Sequence, residues 1–296
     1  MTADRKLNSL QKAVWTGLNY LNLRRSLNEK SVYETHHFSP SLEDSFWKVH
    51  APHSSPSRKL CDLFWQQLPW QKIEEKLGKI HVHDSGCGSG DLGVRINRFT
   101  ESKIKSYFGV DAFENKKWEQ NTKEHGFRFS LADTLTDSLE IPEGINFFMS
   151  QSAIEHFKCD LAYFRHIQKY VQKSRRPTLQ VHLFPSAACL RLYRDHGVRQ
   201  YNERSLQMIS KLFSEFSKVD LFLLGGKNCN EIHYRYFTYP SMILKKKNFA
   251  EEIPMDYESQ LKKAIADDAG KSNHKNASFY ALVIQSDIGK EGLFAK

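Results

Sequence analysis

Two spacings of apolar residues alternate along the 296-residue chain. Between Leu7 and Leu27, positions Leu10, Ala13, Val14, Leu18, Leu21 and Leu23 recur at the interval of a helical face. Leu60, Leu63 and Phe64 repeat that spacing from Ser57 to Gln67, and Pro69 to Leu77 predicts a short helix stopped by Gly78. The intervening stretch from Ser31 to Pro56 is rich in His, Ser and Pro and has no period, so it reads as an irregular connection or lid. From Lys79 the period drops to two. Ile80 and Val82 share a face, the run halts at Asp84, a glycine-rich turn follows, and Leu92, Val94, Ile96 and Phe99 restart a helical stripe. Further strands are predicted at 107–110, 127–131, 145–149, 178–184, 219–224 and 278–285, with helices at 112–125, 161–171, 190–197 and 203–216. Lys227 to Asn276 is less regular.

Strand–helix alternation of this kind predicts an α/β fold, a doubly wound and mostly parallel seven-stranded sheet with helices on both faces. A last strand that follows an insertion suits an antiparallel place in that sheet. The expected organisation is an N-terminal helical cap over 1–75, a core over 76–225, and an insertion with the closing strand over 226–296. Ligands of such sheets bind at the C-terminal ends of the strands.

Charge and cysteine usage narrow the partners. The chain carries 43 basic against 34 acidic residues, a net charge of +9, which favours anionic partners or else a generally basic surface. Basic clusters stand at Arg24-Arg25, at Lys173 to Arg176 and at Lys245 to Lys247, none interleaved with aromatics as a single-strand stacking groove would be. No apolar run is long enough to span a membrane, and the N-terminal residues lack the apolar region of a secretory signal. The five cysteines are scattered, as suits reduced thiols in a cytoplasm.

The chemistry centres on Asp84-Ser85-Gly86-Cys87-Gly88-Ser89-Gly90-Asp91-Leu92-Gly93. Strand, glycine turn and helix start together let backbone and helix N–H groups approach a ligand. Gly88, Gly90 and Gly93 fit G-x-G-x-x-G, the dinucleotide pattern. Gly86, Gly88 and Gly90 after Asp84 fit D-x-G-x-G-x-G instead. The second register starts closer to its strand, and an acid there suits a cationic ligand better than a pyrophosphate.

Asp84-Ser-Gly86-Cys-Gly88-Ser-Gly90, Asp111 ending the second strand and Leu131-Ala-Asp133 after the third resemble the class I S-adenosylmethionine-dependent methyltransferases, of Rossmann-like fold. That resemblance implies S-adenosylmethionine as cofactor. Gly86, Gly88 and Gly90 would line its methionine and ribose, with Asp84 near the ammonium. Asp111 would accept both ribose hydroxyls, Asp133 the adenine amino group, and Ala132 would back the ring. Ser150, closing the fourth strand, would face the same ligand.

Ser152-Ala-Ile-Glu155-His156 looks like the E-x-x-E-H segment of ubiquinone-pathway O-methyltransferases and small-RNA 3′-terminal methyltransferases, where it holds a divalent metal. Here Ser152 replaces the first acid. Glu155, His156 and His182 are therefore candidate ligands of a metal; without one, His156 is the candidate general base. No D-P-P-Y or N-P-P-Y run follows strand four, unlike the familiar amino-methylating nucleic-acid enzymes. Tyr193, Arg194, His196 and Arg199 after strand five, and His233 after strand six, are candidates for the acceptor pocket.

The expected function is thus methyl transfer to a hydroxyl on a sugar, glycan or other small anionic acceptor, in the manner of enzymes of bacterial surface-polysaccharide pathways. Two alternatives stand: an NAD(P)-dependent oxidoreductase using the G-x-G-x-x-G register, and a non-catalytic RNA-binding module. The sequence leaves the oligomeric state open.

Overall fold

A computed structural model of the chain describes residues 7–24, 27, 29–48, 53–132, 139–193, 196–245, 253–289 and 292–294. Their centre is one eight-stranded sheet. In chain order the strands are β1 (Glu34–His37), β2 (Ile80–Ser85), β3 (Ile104–Asp111), β4 (Arg128–Leu131), β5 (Phe147–Gln151), β6 (Thr178–Pro185), β7 (Ser217–Leu224) and β8 (Phe279–Ser286). They lie side by side as β1-β7-β8-β6-β5-β2-β3-β4. All pairings are parallel except those of β8, which runs antiparallel between β6 and β7.

The predicted seven strands are all present, and the eighth, β1, comes from the stretch expected to be irregular. Glu34, Thr35, His36 and His37 pair with Asp220 to Leu223 of β7. A polar edge strand carries no apolar alternation to read, and such edges resist pairing with other chains. His36 is held by the buried Asp220 carboxylate at 2.7 Å and stacks on Phe222.

Period-two alternation sorts the two faces. Ile80 and Val82 of β2, with Leu179, Val181 and Leu183 of β6, enter one core. That core is closed by α3 (Pro56–Gln66), α4 (Trp70–Leu77), α5 (Asp91–Phe99), α9 (Lys227–His233) and α10 (Tyr257–Asp268). Phe148, Phe184, Leu221 and Leu282 enter the other, under α7 (Asp160–Ser174) and α8 (Glu203–Ser210). α1 (Ser9–Leu23), α2 (Asp44–Trp47) and α6 (Lys117–His125) complete the helices longer than one turn, apart from a π-helical stretch at Tyr234–Ile243.

Local signals explain several ends. Asn8 and Gln11 exchange side-chain bonds with each other's backbone N–H, capping α1. Ser55 caps α3 ahead of Pro56. Among the described residues the helix expected at 190–197 is not formed. A short 3-10 turn at Ala187–Arg191 stands at its start, and Tyr201 bridges Ser186. Conversely, α10 lies in the segment read as less regular.

The chain steps from β2 outward through β3 to β4, then returns to place β5 on the other side of β2. This reversal leaves a crevice at the C-terminal ends of β2 and β5, the place where open α/β sheets bind ligands. Among the described residues, no helix is long and apolar enough to cross a membrane.

Candidate active site

The glycine turn sits at that reversal point. Gly86 and Cys87 N–H groups both donate to the Val110 carbonyl of β3, at 2.8 and 3.1 Å. Gly86 has φ +73°, and a Cβ there would stand 2.4 Å from the Ala153 Cβ. Glycine is therefore required twice over, by backbone and by contact. Gly90 also has positive φ, and a Cβ on it would press within 2.8 Å of the Phe129 ring. Around Gly88, with φ +53°, a Cβ would meet nothing within 4 Å, so its outer side is open to a ligand.

Carboxylates surround this opening. Asp84 is buried; Tyr107 donates to one of its oxygens at 2.6 Å, and among the described residues the other has no hydrogen-bond partner. Burial pushes its carboxyl up to about 7 despite the Tyr107 bond. Asp111 accepts from the Gly88 N–H at 2.8 Å and from the Phe113 N–H at 3.1 Å, tying the end of β3 to the turn. Asp91, in the first turn of α5, pairs with Lys117. Phe113 and Leu131, at the ends of β3 and β4, are exposed apolar groups, 80% and 57% accessible. Ala132 follows, its N–H bonded to the Asp111 carbonyl; Asp133 lies outside the described residues.

Two latches of this turn were not anticipated from sequence. Trp118 donates its indole N–H to the Gly88 carbonyl at 2.7 Å, and Asn121 its amide to Ser89 at 2.8 Å. Trp118 also stacks on Phe129 at 5.0 Å. The available signal was a tryptophan with an asparagine three residues on, facing inward from an otherwise polar helix.

The second group of side chains follows β5. Ala153 against Gly86 brings the short turn Ile154–His156 beside the glycine loop. The Glu155 carbonyl accepts from Val198 and Arg199 N–H groups at 2.7 and 3.3 Å, and Gly197 at φ +69° lets the two segments touch. This juxtaposition carries His196 to Glu155. The Glu155 carboxylate is wholly buried, and neither oxygen has a hydrogen-bond partner among the described residues. His196 Nε2 stands 3.5 Å and His156 Nε2 3.9 Å from Glu155 Oε1. One ligand atom from each of the three lies within 4.8 Å of the others, a spacing that fits one divalent ion or a shared proton.

His182 does not join them. It points into the opposite core layer, between Tyr163 and Phe164, bonded to Ser150 Oγ at 2.8 Å. Burial pushes its imidazole down to about 3, so it stays neutral. Alternation on a strand explains the difference: Val181 and Leu183 face the other core, which sends His182 and its partner Ser150 away from the crevice. Ser150 is accordingly buried beneath the sheet rather than turned to a ligand.

The remaining candidates divide. His156, His196, Tyr193 and His233 form a row of ring contacts at 4.6, 5.9 and 4.9 Å. Tyr193 also bonds Ser57 of α3. His233 is nearly buried and bonded to Thr238, and burial lowers its imidazole to about 4. Arg199 is taken up by the buried Asp160 at 3.2 Å, which Tyr201 also meets. Arg194 lies outside the described residues.

No family model matches the chain, and no curated protein matches it in sequence. Solved structures do match its shape. An S-adenosylmethionine-dependent methyltransferase from Clostridium acetobutylicum is 13% identical, with 75% of this chain and 90% of that one covered and a TM-score of 0.46. A phosphoethanolamine N-methyltransferase from Haemonchus contortus is 15% identical over 73% of this chain and 52% of its own, with a TM-score of 0.45. Coclaurine N-methyltransferase bound to S-adenosylhomocysteine is 12% identical over 95% and 89%, with a TM-score of 0.44. Likeness this loose brings no substrate with it, and the chemistry must come from this chain's own side chains.

Proposed function

We propose that the chain is an S-adenosylmethionine-dependent methyltransferase acting on a hydroxyl of a sugar, glycan or other small anionic acceptor. The observation that carries the reading is the buried Glu155 carboxylate, without hydrogen-bond partners among the described residues, facing His156 and His196 beside the glycine loop.

The residues fit the cofactor. Asp84 keeps an oxygen for an ammonium, Asp111 borders the open side of Gly88, and Phe113 and Leu131 offer apolar faces to a purine. Three carboxylates near the loop oppose a pyrophosphate and favour a cation, which separates this reading from the dinucleotide register. Gly93 is nonetheless required by packing, since a Cβ there would lie 2.3 Å from the Tyr107 ring.

When bound, S-adenosylmethionine supplies a methyl already activated on sulfur, so the protein's tasks are alignment and proton removal. His156 or His196 would take the acceptor hydroxyl's proton at Nε2 as its oxygen accepts the methyl group. Glu155 then holds the resulting imidazolium. The same three residues would hold a divalent cation, whose chemistry would be to lower the pKa of the acceptor hydroxyl. The positive balance of the chain supports an anionic acceptor.

Calorimetric titration with S-adenosylhomocysteine and with NAD decides the cofactor. Binding of the first and not the second is expected. The reverse would return the fold to the oxidoreductase reading.

A further inference from the structure

A groove of about 1070 Å³ opens beside the candidate site, between α1 and the turn after β6. Its floor is apolar, with Ala13, Trp15, Tyr20, Leu21, Leu190 and Met242. The charged groups lining it are Lys12, Arg24 and Arg191; among the described residues no carboxylate lines it. α1 itself contains no acid. Arg191 also borders the two neighbouring cavities, and among the described residues it has neither an ion-pair nor a hydrogen-bond partner. One wall of the groove touches the segment that carries His196. Trp15, in its wall, donates its indole N–H to the Gly197 carbonyl at 3.2 Å, and Gly197 adjoins His196.

We infer that this groove binds the body of an anionic amphiphile, an alkyl or aryl chain along α1 with a phosphate or carboxylate at Arg191, and that this molecule is the methyl acceptor. The second half of that statement rests on the methyltransferase reading, whereas the binding half stands without it. Two physical terms select the occupant. An apolar trough of this size gains from removing a hydrocarbon from water, at about 0.8 kcal/mol per buried CH₂. Within the groove no carboxylate opposes the cations among the described residues, Glu203 and Glu231 standing in the neighbouring cavities. The Arg191 guanidinium, without a partner among the described residues, selects the sign of the head group and can grip its oxygens in pairs. A bilayer would instead meet the outward stripe Leu10, Val14 and Leu18, which does not line the groove.

The test uses the full chain with decyl phosphate and decyltrimethylammonium below their micellar concentrations, read by calorimetry and tryptophan fluorescence. S-Adenosylhomocysteine is titrated separately, and thermal melting monitors folding. Decyl phosphate should bind at least about tenfold more tightly than the ammonium. Arg191→Glu should abolish that preference, and Leu21→Glu, at a position 61% exposed, should weaken both probes. Equal binding of the two head groups, or an unchanged preference in Arg191→Glu, would overturn the inference. So would sedimentation with phosphatidylglycerol vesicles that is lost in Leu10→Glu but kept in Arg191→Glu, since the occupant would then be a membrane. A dimer dissociated by Leu21→Glu would overturn it in favour of a second copy of the chain. Decyl phosphate binding without S-adenosylhomocysteine binding would uphold the groove and sink the methyltransferase reading; the opposite pair would uphold the enzyme and sink the amphiphile.

Discussion

A carboxylate such as Glu155, fully buried with no donor to either oxygen among the described residues, costs several kcal/mol unless something cationic answers it. The two imidazoles are positioned to be that answer, as proton acceptors or as fellow ligands. His156→Ala should therefore lower turnover by about two to four orders of magnitude while leaving S-adenosylhomocysteine affinity nearly intact. His196→Ala should do the same. His182→Ala should lower the melting temperature without a selective loss of turnover, because that ring is packed in the opposite core. Steady-state kinetics on the true acceptor check all three; near-wild-type turnover in His156→Ala would remove it from the mechanism. Loss of activity on chelation, restored by added metal, would assign the three as ligands, whereas insensitivity to chelators would assign a base.

Asp84 gives a second outcome at this scale. Its carboxyl titrates near 7 in the folded protein, against an ordinary value of 3.8. A raised acid is stabilising when protonated: its contribution is complete below about pH 4 and is lost as pH rises through about 7. Without cofactor, Asp84→Asn should thus be more stable than the wild type at pH 8, by an amount on the order of 2–4 kcal/mol read from denaturant unfolding, and differ little at pH 4. A cationic ligand reverses the preference, since it favours the ionised form. Affinity for S-adenosylmethionine should rise by up to about tenfold per pH unit on approaching pH 7, level off above it, and lose that slope in Asp84→Asn. A flat wild-type profile between pH 6 and 8 would mean that Asp84 does not meet the ligand's charge.

At the scale of elements, what could be read from the chain was what period and punctuation encode. Ile80 and Val82, the acid, three glycines and the stripe from Leu92 to Phe99 gave β2, the turn and α5 their places. The alternation of β6 was equally plain, yet which face His182 takes depends on which core Val181 joins, and that is settled by the whole sheet. β1 was illegible because an edge strand of Glu, Thr and two His carries no apolar signature. α10 had a readable stripe in Tyr257, Leu261, Ala264 and Ile265, obscured by the polar residues on both sides. The meeting of His196 with Glu155 was beyond any local reading. It comes from a backbone contact between segments some forty residues apart, permitted by a left-handed Gly197.

For the molecule as a whole, the question is what its positive charge serves. The net charge of +9 would suit nucleic acid, but one of its main clusters stands away from the site. Lys173, Arg175 and Arg176 are exposed at the end of α7, just before β6 begins. They therefore lie at the N-terminal edge of the parallel strands, opposite the crevice where the glycine loop and Glu155 stand. An RNA held there would present nothing to the candidate catalytic groups. Cations close to the site, Arg24 and Arg191, line an apolar groove instead of a backbone-tracking channel with stacked aromatics. Binding to mixed RNA and DNA oligomers should accordingly be weak at physiological salt and should fade steeply as salt is raised, the mark of unspecific phosphate contact. Fluorescence anisotropy at two or more salt concentrations measures both the affinity and that slope. Submicromolar, salt-tolerant binding would show a built nucleic-acid surface and would put the RNA-binding reading ahead of the small anionic acceptor.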